Sequence, residues 1–516
     1  MSRSPWVSCS ANALSAMGVW LALAGATACD RGPDIQVLGE STRLAMHAGS
    51  PRKSALFDGH EVHLRGARGE TLGVQTRLTD HRRRIVRLSL PSAVAIVHPF
   101  AVDSLEVRSA STPLYGASRG RGVYPDILLP ETEQVDSAEL AYFDVEIPEA
   151  ATPGSYRGEL EIGSRRIPVR LDVSRAKVAL GKNPLVWAFY LPREIARVHG
   201  LRDDDSTELI ERESAYHQMF REHGVLLASD LRPNRFPPRK QFVRDTRFWP
   251  VAIDTSNENS IADDVRKWLA FFQGTDVTPF AIPVDEPKTQ GERLKARSIA
   301  EAIGRAGGGR PRLLRGVTDT ASPVYGDAID VFLSPKNLPA PADGRLAQGE
   351  RFWTYNGRPP EAGSMIIDTD GVALRTWGWI AYRYGVELWY AWEALYFSDR
   401  YNRGGPTEVF TQPITFDERK KGGTDFGNGD GVLAYPGPLP SLRLKALRRG
   451  LTDRLLLLEL EACGQRERAL GIAKRMIPRA LDEATILPSW PSSEIDWERA
   501  RNEILDAIEE SCHGLE

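Results

Sequence analysis

The chain is poor in the residues that hold metals and disulfides. Its 516 residues include only 4 cysteines and 9 histidines, and neither type recurs at the spacing of a zinc site. The charges are balanced, with 66 lysines and arginines against 69 aspartates and glutamates, so no excess of positive charge favours a nucleic acid or an anionic lipid surface as a partner. We therefore expect no metal, no cofactor and no nucleic acid.

The apolar run near the N-terminus, residues 18–26, is too short to span a bilayer. Arg3 precedes this run and the small residues 26–28 follow it, a pattern typical of an export signal. Cys29 comes directly after the small residues and resembles the lipidated cysteine of a bacterial lipobox. We expect residues 1–28 to be a signal peptide and the mature protein to be an exported lipoprotein of the periplasm or cell surface. A plain secretory signal with an incidental cysteine is the alternative.

The body of the chain has the composition of an ordinary soluble protein, with 41% hydrophobic and 26% charged residues. Its length suits two or three domains. Between residues 40 and 176, short alternating segments are separated by Gly, Pro and Asp turns, which predicts an N-terminal β-sandwich. The predicted strands include residues 71–78, 85–90, 140–147, 155–162 and 166–173.

Between residues 183 and 400, predicted strands alternate with predicted helices, which favours a central (β/α)8 barrel. The eight predicted strands are residues 185–191, 225–230, 248–254, 277–284, 312–318, 329–333, 351–355 and 387–392. The predicted helices are residues 206–222, 259–273, 290–305 and 370–384. Active sites of such barrels lie at the C-terminal ends of the strands.

Residues 401–516 are expected to form a loop and a helical region packed on the barrel. Ser441 is a plausible N-cap for its first helix. One side of that helix is expected to be buried through Leu442, Leu444, Leu447, Leu451, Leu455 and Leu458. Cys463 and Cys512 both lie in this region, where an oxidising compartment would permit a disulfide that their spacing does not predict.

Asp285 and Glu286 stand just beyond the fourth predicted strand of the barrel and are followed by Pro287, which ends a strand because it cannot donate a ladder hydrogen bond. Adjacent carboxylates cannot both ionise cheaply. An active site can use that difficulty by keeping one group ionised and the other protonated, as glycoside cleavage requires. The alternative interpretation is an exposed turn with two solvated acids.

Aromatic residues are concentrated near the last two predicted strands, where five of the 12 tryptophans lie between residues 353 and 392. Sugar rings pack their C–H faces on aromatic planes, and neighbouring polar groups bind the hydroxyls. The expected substrate-binding residues are Trp353, Tyr355, Asn356, Trp389, Trp392 and Glu393. Trp377 instead follows helical spacing, which predicts a buried position in the core.

Several segments carry a family resemblance, and they occur in the expected order over most of the mature chain. They are residues 124–130 (YPDILLP), 153–158 (PGSYRG), 285–287 (DEP), 353–356 (WTYN), 375–392 and 441–450 (SLRLKALRRG), followed by Asp453. Together they resemble glycoside hydrolase family 123 and the related domain of unknown function family 4091.

The resemblance to family 123 implies a β-N-acetylgalactosaminidase that retains configuration through substrate assistance. In that mechanism the 2-acetamido oxygen of the substrate attacks the anomeric carbon, and no protein nucleophile is needed. Carried over to this chain, Asp285 stabilises the oxazolinium ion, while Glu286 is the general acid and then the general base. The expected partner is a glycan or glycoconjugate, with membrane contact only through the N-terminal lipid.

Two other functions fit the sequence. One is a glycosidase that acts on a neutral sugar with a separate carboxylate nucleophile, for which Glu393 or Glu387 at the eighth strand would serve. The other is a surface glycan-binding lipoprotein without catalysis.

Overall fold

The computed structural model describes residues 35–44, 54–78, 82–308, 313–334 and 351–512. The expected signal peptide and Cys29 lie outside the described residues. The architecture agrees with the predicted one: a β-rich N-terminal region precedes an eight-stranded parallel sheet with helices, and a helical region ends the chain. Among the helices that the structure describes, none combines the length and apolar character needed to cross a membrane.

The N-terminal region is a sandwich of two five-stranded sheets with strand orders β1-β3-β8-β5-β6 and β2-β10-β9-β4-β7. The strands are β1 Ile35–Gly39, β2 Val62–Arg68, β3 Thr71–Leu78, β4 Arg84–Ser89, β5 Ile96–Val107, β6 Gly122–Pro130, β7 Val135–Ala138, β8 Leu140–Glu146, β9 Gly154–Ile162 and β10 Arg165–Lys177. In β10, buried Val169, Leu171 and Val173 alternate with more accessible residues, as expected when one face covers a core. The sandwich begins before the predicted boundary at residue 40, because β1 pairs with β3.

The barrel sheet has the order β12-β11-β18-β17-β16-β15-β14-β13. Its strands are β11 Val186–Phe189, β12 Val225–Ala228, β13 Phe248–Pro250, β14 Thr278–Ala281, β15 Leu314–Val317, β16 Val331–Leu333, β17 Arg351–Tyr355 and β18 Leu388–Ala391. β12 and β13 are the two ends of this sheet, so the barrel wall opens between its second and third strands. The two 3-10 turns Pro233–Arg235 and Pro237–Phe242 connect these strands, and their prolines disfavour a regular helix there.

The barrel helices are α1 Pro192–Val198, α2 Thr207–Glu222, α3 Glu258–Phe271, α4 Gln290–Ala306 and α5 Thr376–Tyr384. α4 begins with a capping box in which the Thr289 hydroxyl accepts a hydrogen bond from the Glu292 N–H and the Glu292 carboxylate accepts one from the Thr289 N–H. This cap fixes the chain three residues after Glu286. α5 begins later than predicted, because residues 371–375 form turns.

Short strands and three helices follow: β19 Ser398–Asp399, β20 Gly405–Pro406, β21 Ile414–Asp417, β22 Phe426–Asn428, β23 Ala434–Tyr435, β24 Leu439–Pro440, α6 Leu442–Ala462, α7 Arg466–Met476 and α8 Glu494–Ser511. The predicted N-cap of α6 is confirmed, since the Ser441 hydroxyl accepts a hydrogen bond from the Leu444 N–H. A disulfide joins Cys463 and Cys512, whose Cα atoms lie 5.4 Å apart.

The predicted one-sided burial of α6 is wrong in two respects. Leu458 is exposed, and the cationic side of the helix is as buried as its leucines. Arg443, Lys445 and Arg448 face the sandwich rather than solvent, and they pair with carboxylates of its strands. α6 therefore lies between the barrel helices and the sandwich, and ion pairs join the two domains through it.

Candidate active site

Asp285 and Glu286 lie four and five residues beyond the end of β14, the fourth strand of the barrel. Both side chains are exposed, whereas Pro287 is buried. The strand count that placed the pair at the C-terminal end of the barrel is therefore confirmed. Because the carboxyl ends of parallel strands open to one side, the two acids face the mouth where barrel enzymes bind their substrates.

A threonine that the sequence analysis missed joins the two acids. The Thr318 hydroxyl, at the end of β15, donates to Oδ1 of Asp285 at 2.7 Å and accepts from the backbone N–H of Glu286 at 2.6 Å. Its side chain is buried, with 4% of the residue accessible. The one available signal was its position as the last residue of the fifth predicted strand, on the same edge as Asp285.

Glu286 has an unusual backbone conformation, with φ of +43°. Left-handed backbone is uncommon outside glycine and, when it occurs at a functional site, costs about 1–3 kcal/mol that the surroundings must supply. The Tyr355 hydroxyl, at the end of β17, reaches across the mouth and donates to Oε1 of Glu286 at 3.0 Å. The structure thus brings Tyr355, Asp285 and Glu286 together.

The environment of Tyr355 favours the protonated form of its phenol, which can donate a hydrogen bond. Burial raises the pKa of its phenol above the usual value, and the negative charges of Glu286 and Asp285 raise it further. A protonated phenol beside a carboxylate can hold one oxygen in place and leave the other oxygen free for proton transfer.

Two further acids lie at the mouth in contrasting environments. Burial alone would raise the pKa of Asp319, but hydrogen bonds from Arg293 and Tyr325, both at 2.6 Å, lower it. Asp319 is therefore ionised, and the positive charge of Arg293 balances its negative charge. Asp230 follows β12 and remains open to the mouth, yet desolvation by the surrounding protein raises its pKa to about 6.

Tyr390 lies within electrostatic reach of both sides of the mouth. Burial raises the pKa of this phenol well above its usual value, and the charges of Asp285 and then Asp230 add to the rise. The ring stacks on Trp187 with centroids 4.3 Å apart. The charges of Asp285 and Asp230 therefore both act on Tyr390.

Trp392 forms a half-buried part of the wall directly after β18. Its indole N–H donates to Oδ1 of Asp430 at 3.2 Å, and its backbone N–H donates to Oδ1 of Asn356 at 2.9 Å. Burial raises the pKa of Asp430 to about 6, although the hydrogen bonds from Trp392 and Tyr115 oppose the rise. Tyr115 comes from the sandwich domain, so the N-terminal domain helps to hold this wall.

Next to Trp392 lies Tyr401, which the sequence analysis also missed. The two ring centroids are 6.0 Å apart, and Tyr401 is 54% exposed. Tyr401 lies in the turn between β19 and β20, where hydrophobic alternation gives no signal for exposed aromatic residues.

Trp353 and Trp389 are not available to a ligand, because both are fully buried. Trp353 packs inside the barrel against Phe280, and Trp389 stacks on Trp377 in the helix layer with centroids 4.8 Å apart. These contacts correct the expectation that the two tryptophans bind sugar. The predicted core position of Trp377 is confirmed.

Glu393 is likewise fully buried and pairs with Arg400, so it cannot reach a substrate at the mouth. Glu387 stands just before β18 at the opposite end of the barrel, where it pairs with Arg351 and Arg247. Asn356 connects two loops. Its side-chain oxygen accepts from the Trp392 backbone N–H, and its backbone carbonyl oxygen accepts from the Trp389 indole N–H at 2.8 Å. Of the predicted site residues, Asp285, Glu286, Tyr355 and Trp392 therefore lie at the mouth. Trp353, Trp389, Asn356 and Glu393 instead pack or hydrogen-bond within the barrel and its loops.

A cavity of about 860 Å³ lies away from the mouth, between the sandwich and the C-terminal helices. Its lining includes Glu40, His63 and Glu498 and none of the mouth residues named above. In the described part of the chain, no group of three or more His, Cys, Asp or Glu residues is arranged to hold a metal ion.

Comparisons with known proteins agree with this architecture. No protein-family model matches the sequence, and no curated protein matches it. The solved structure of a family 123 glycoside hydrolase from Clostridium perfringens, described in connection with glycolipid glycan hydrolysis, superposes with a TM-score of 0.65 at 12% identity, covering 92% of this chain and 97% of that one.

Two other structures overlap far less. An FMN-binding β-glucuronidase from Facaelibacterium prausnitzii gives a TM-score of 0.25 at 9% identity, covering 70% of this chain and 55% of that one. A family 2 glycosyl hydrolase from Bacteroides cellulosilyticus gives 0.23 at 9% identity, covering 69% and 46%. Scores this low do not indicate a shared fold. The first superposition covers 92% of the chain at a TM-score of 0.65, so the chain has the fold of the family 123 glycoside hydrolase.

Proposed function

We propose that the protein is a glycoside hydrolase that removes terminal β-linked N-acetylhexosamine, with N-acetylgalactosamine as the preferred sugar, and that it retains the configuration of the anomeric carbon. One observation carries the proposal: two adjacent carboxylates stand at the mouth of the barrel, and each is held by a different hydroxyl. Thr318 donates to Asp285, and Tyr355 donates to Glu286. Because the two carboxyl groups have different hydrogen-bond donors, their environments differ, and this allows one to act as a general acid while the other stabilises positive charge.

In the proposed first step, the acetamido oxygen of the substrate forms a bond to the anomeric carbon while the bond to the leaving oxygen breaks. Glu286 gives its proton to that leaving oxygen. The substrate becomes an oxazolinium ion, whose positive charge the Asp285 carboxylate stabilises. In the second step Glu286 takes a proton from water, whose oxygen attacks the anomeric carbon and restores the acetamido group.

The positions of the other acids favour substrate assistance over a separate protein nucleophile. Glu393 is buried against Arg400, and Glu387 pairs with arginines at the far end of the barrel. Asp319 is neutralised by Arg293. Asp230 is also exposed at the mouth, and with a pKa raised to about 6 it is ionised at neutral pH, so it is the acid to test as an alternative nucleophile.

The half-buried ring of Trp392 and the exposed ring of Tyr401 suit the apolar face of a bound sugar, because both follow the eighth strand and their centroids lie 6.0 Å apart. The substrate proposed here is a glycan or glycoconjugate, which matches the glycolipid glycan named for the structural neighbour.

The purified protein should be tested on a panel of aryl β-glycosides that differ at carbon 2. We expect turnover of the 2-acetamido substrates, with the galacto configuration preferred, and little or none of the 2-hydroxy substrates. Equal turnover of both sets would point to a protein nucleophile, with Asp230→Asn as the variant that should then abolish it. Glycan binding without product would favour a binding protein.

Export and anchoring form a separate part of the proposal, since they depend on the N-terminal sequence alone. Lipid on Cys29 would hold the protein at a membrane, because acyl chains contribute about 0.8 kcal/mol per buried methylene. Cys29→Ala should move the protein from the membrane fraction to the soluble fraction. Unchanged fractionation would show that Cys29 is not the anchor.

A further inference from the structure

We propose that Thr318 is a positioning residue for both carboxylates, and that its hydroxyl sets the orientation in which Asp285 meets the acetamido group of the substrate. This inference rests on the proposed function. It comes from the hydrogen bonds of one buried side chain at the end of β15, the strand next to the one that leads to the two acids.

The direction of the two hydrogen bonds follows from the chemistry of a hydroxyl group, which has one proton and two lone pairs. The backbone N–H of Glu286 can only donate, so it occupies a lone pair of the Thr318 oxygen at 2.6 Å. The single hydroxyl proton is therefore available to Oδ1 of Asp285 at 2.7 Å. One side chain thus binds the carboxylate of one acid and the backbone of the other.

The first bond leaves Asp285 with one oxygen engaged and one free. With Oδ1 held by Thr318, Oδ2 is the oxygen that can accept from the acetamido N–H of a substrate. That contact would turn the acetamido oxygen toward the anomeric carbon and later stabilise the oxazolinium ion. Without the bond, the Asp285 carboxylate could rotate among several orientations, because the residue is exposed.

The second bond helps to hold the strained backbone of Glu286, whose φ is +43°. This conformation directs the Glu286 side chain to the Tyr355 hydroxyl. Thr318 itself is well suited to fix both acids, since it is buried and a β-branched side chain has few χ1 rotamers. Serine could make the same two bonds but would hold them less rigidly.

Thr318→Val tests the inference because it keeps the shape of the side chain and removes the hydroxyl. Turnover of aryl N-acetylhexosaminides should fall about 100-fold, as expected when reacting groups are misplaced by an ångström or so. A thiazoline derived from N-acetylgalactosamine, which imitates the oxazolinium ion, should also bind at least about tenfold more weakly. Thermal unfolding and circular dichroism should remain close to the parent protein.

Thr318→Ser is the rescue variant, and it should restore thiazoline binding to within about threefold of the parent if the hydroxyl matters. Thr320→Val is the matched control. Thr320 lies two residues away and is exposed, and its hydroxyl approaches Asp319 at 3.5 Å rather than either catalytic acid. It should change neither turnover nor inhibitor binding.

The outcomes separate this inference from the proposed function. If the parent protein turns over no N-acetylhexosaminide, the proposed function fails. If the parent is active but Thr318→Val keeps its turnover and its thiazoline affinity, the inference about Thr318 is wrong. Should Thr318→Val fail to fold, Thr318→Ala is compared with Thr318→Ser: thiazoline binding at least about tenfold weaker in the alanine variant than in the serine variant supports the inference, and equal binding in both contradicts it.

Discussion

Arg443 of α6 and Asp126 of β6 form a fully buried ion pair between the C-terminal helices and the sandwich, with Nη2 and Oδ2 2.8 Å apart. The same guanidinium donates from Nη1 to the carbonyl oxygen of Gly429 at 2.7 Å. Gly429 precedes Asp430, which holds the indole of Trp392. These hydrogen bonds and the Gly429–Asp430 peptide bond therefore link the domain interface to the aromatic wall of the candidate active site.

Replacing Arg443 with methionine should lower the free energy of unfolding by about 3 kcal/mol, because it leaves a buried carboxylate without its main partner. Urea unfolding measures this loss. Arg166→Met is a suitable control, since Arg166 is 69% exposed and pairs with Glu159 at the sandwich surface. Similar small losses in both variants would mean that the buried pair does not join the domains.

Asp430 should make stability fall between pH 4 and 6. Burial raises its pKa to about 6 in the folded protein, against about 4 in an unfolded chain. Over that interval the folded protein keeps a proton that the unfolded chain releases, so the contribution is present below pH 4 and lost as the pH rises through 6.

Asp430→Asn should remove this dependence. The difference in free energy of unfolding between parent and variant should shift by about 2 kcal/mol between pH 4 and pH 7, with the parent relatively favoured at pH 4. Urea unfolding at the two pH values gives the comparison. A constant difference would show that Asp430 titrates normally in the folded protein.

Glu286→Gln should lose most of its activity on substrates with poor leaving groups and keep more on activated aryl glycosides, because only the former need protonation of the leaving oxygen. The measurement is kcat/KM against leaving-group pKa, which should become steeper in the variant. A parallel loss across the series would remove Glu286 from the role of general acid.

The aromatic residues should divide into two groups. Trp392→Ala should reduce kcat/KM while the fold persists, since Trp392 is a half-buried wall residue. Trp377→Ala should instead lower the free energy of unfolding by about 3–5 kcal/mol, because Trp377 is fully buried against Trp389. Thermal unfolding and kinetics on both variants test this division, and the reverse pattern would contradict the assigned positions.

The position of the acid pair could be predicted because strand periodicity and Pro287 are local signals. Burial of the aromatics could not, since strands of a parallel sheet are covered on both faces and alternation is lost. In β17, Phe352 and Trp353 are adjacent and both buried. Thr318 could not be assigned a role from sequence either, because its bonds to Asp285 and Glu286 cross from one strand to the next.

The segments that carried the family resemblance serve architecture more than chemistry. Asp126 pairs with Arg443, and Arg375 pairs with Asp453, so four residues of those segments form two buried ion pairs. The partners are distant in sequence, and Arg443 and Asp126 are 317 residues apart. For that reason the sequence alone could not show that the charged side chains of α6 are buried, because they look like those of a solvent-exposed helix face.

The most direct test of substrate assistance is the rate on aryl N-acetylhexosaminides whose acetamido methyl carries zero, one, two or three fluorine atoms. Fluorine withdraws electrons from the carbonyl oxygen and weakens it as a nucleophile without altering the leaving group. If that oxygen attacks the anomeric carbon, kcat should fall steeply with each added fluorine. A kcat that stays constant across the series would contradict the account, because the nucleophile would then have to come from the protein or from water.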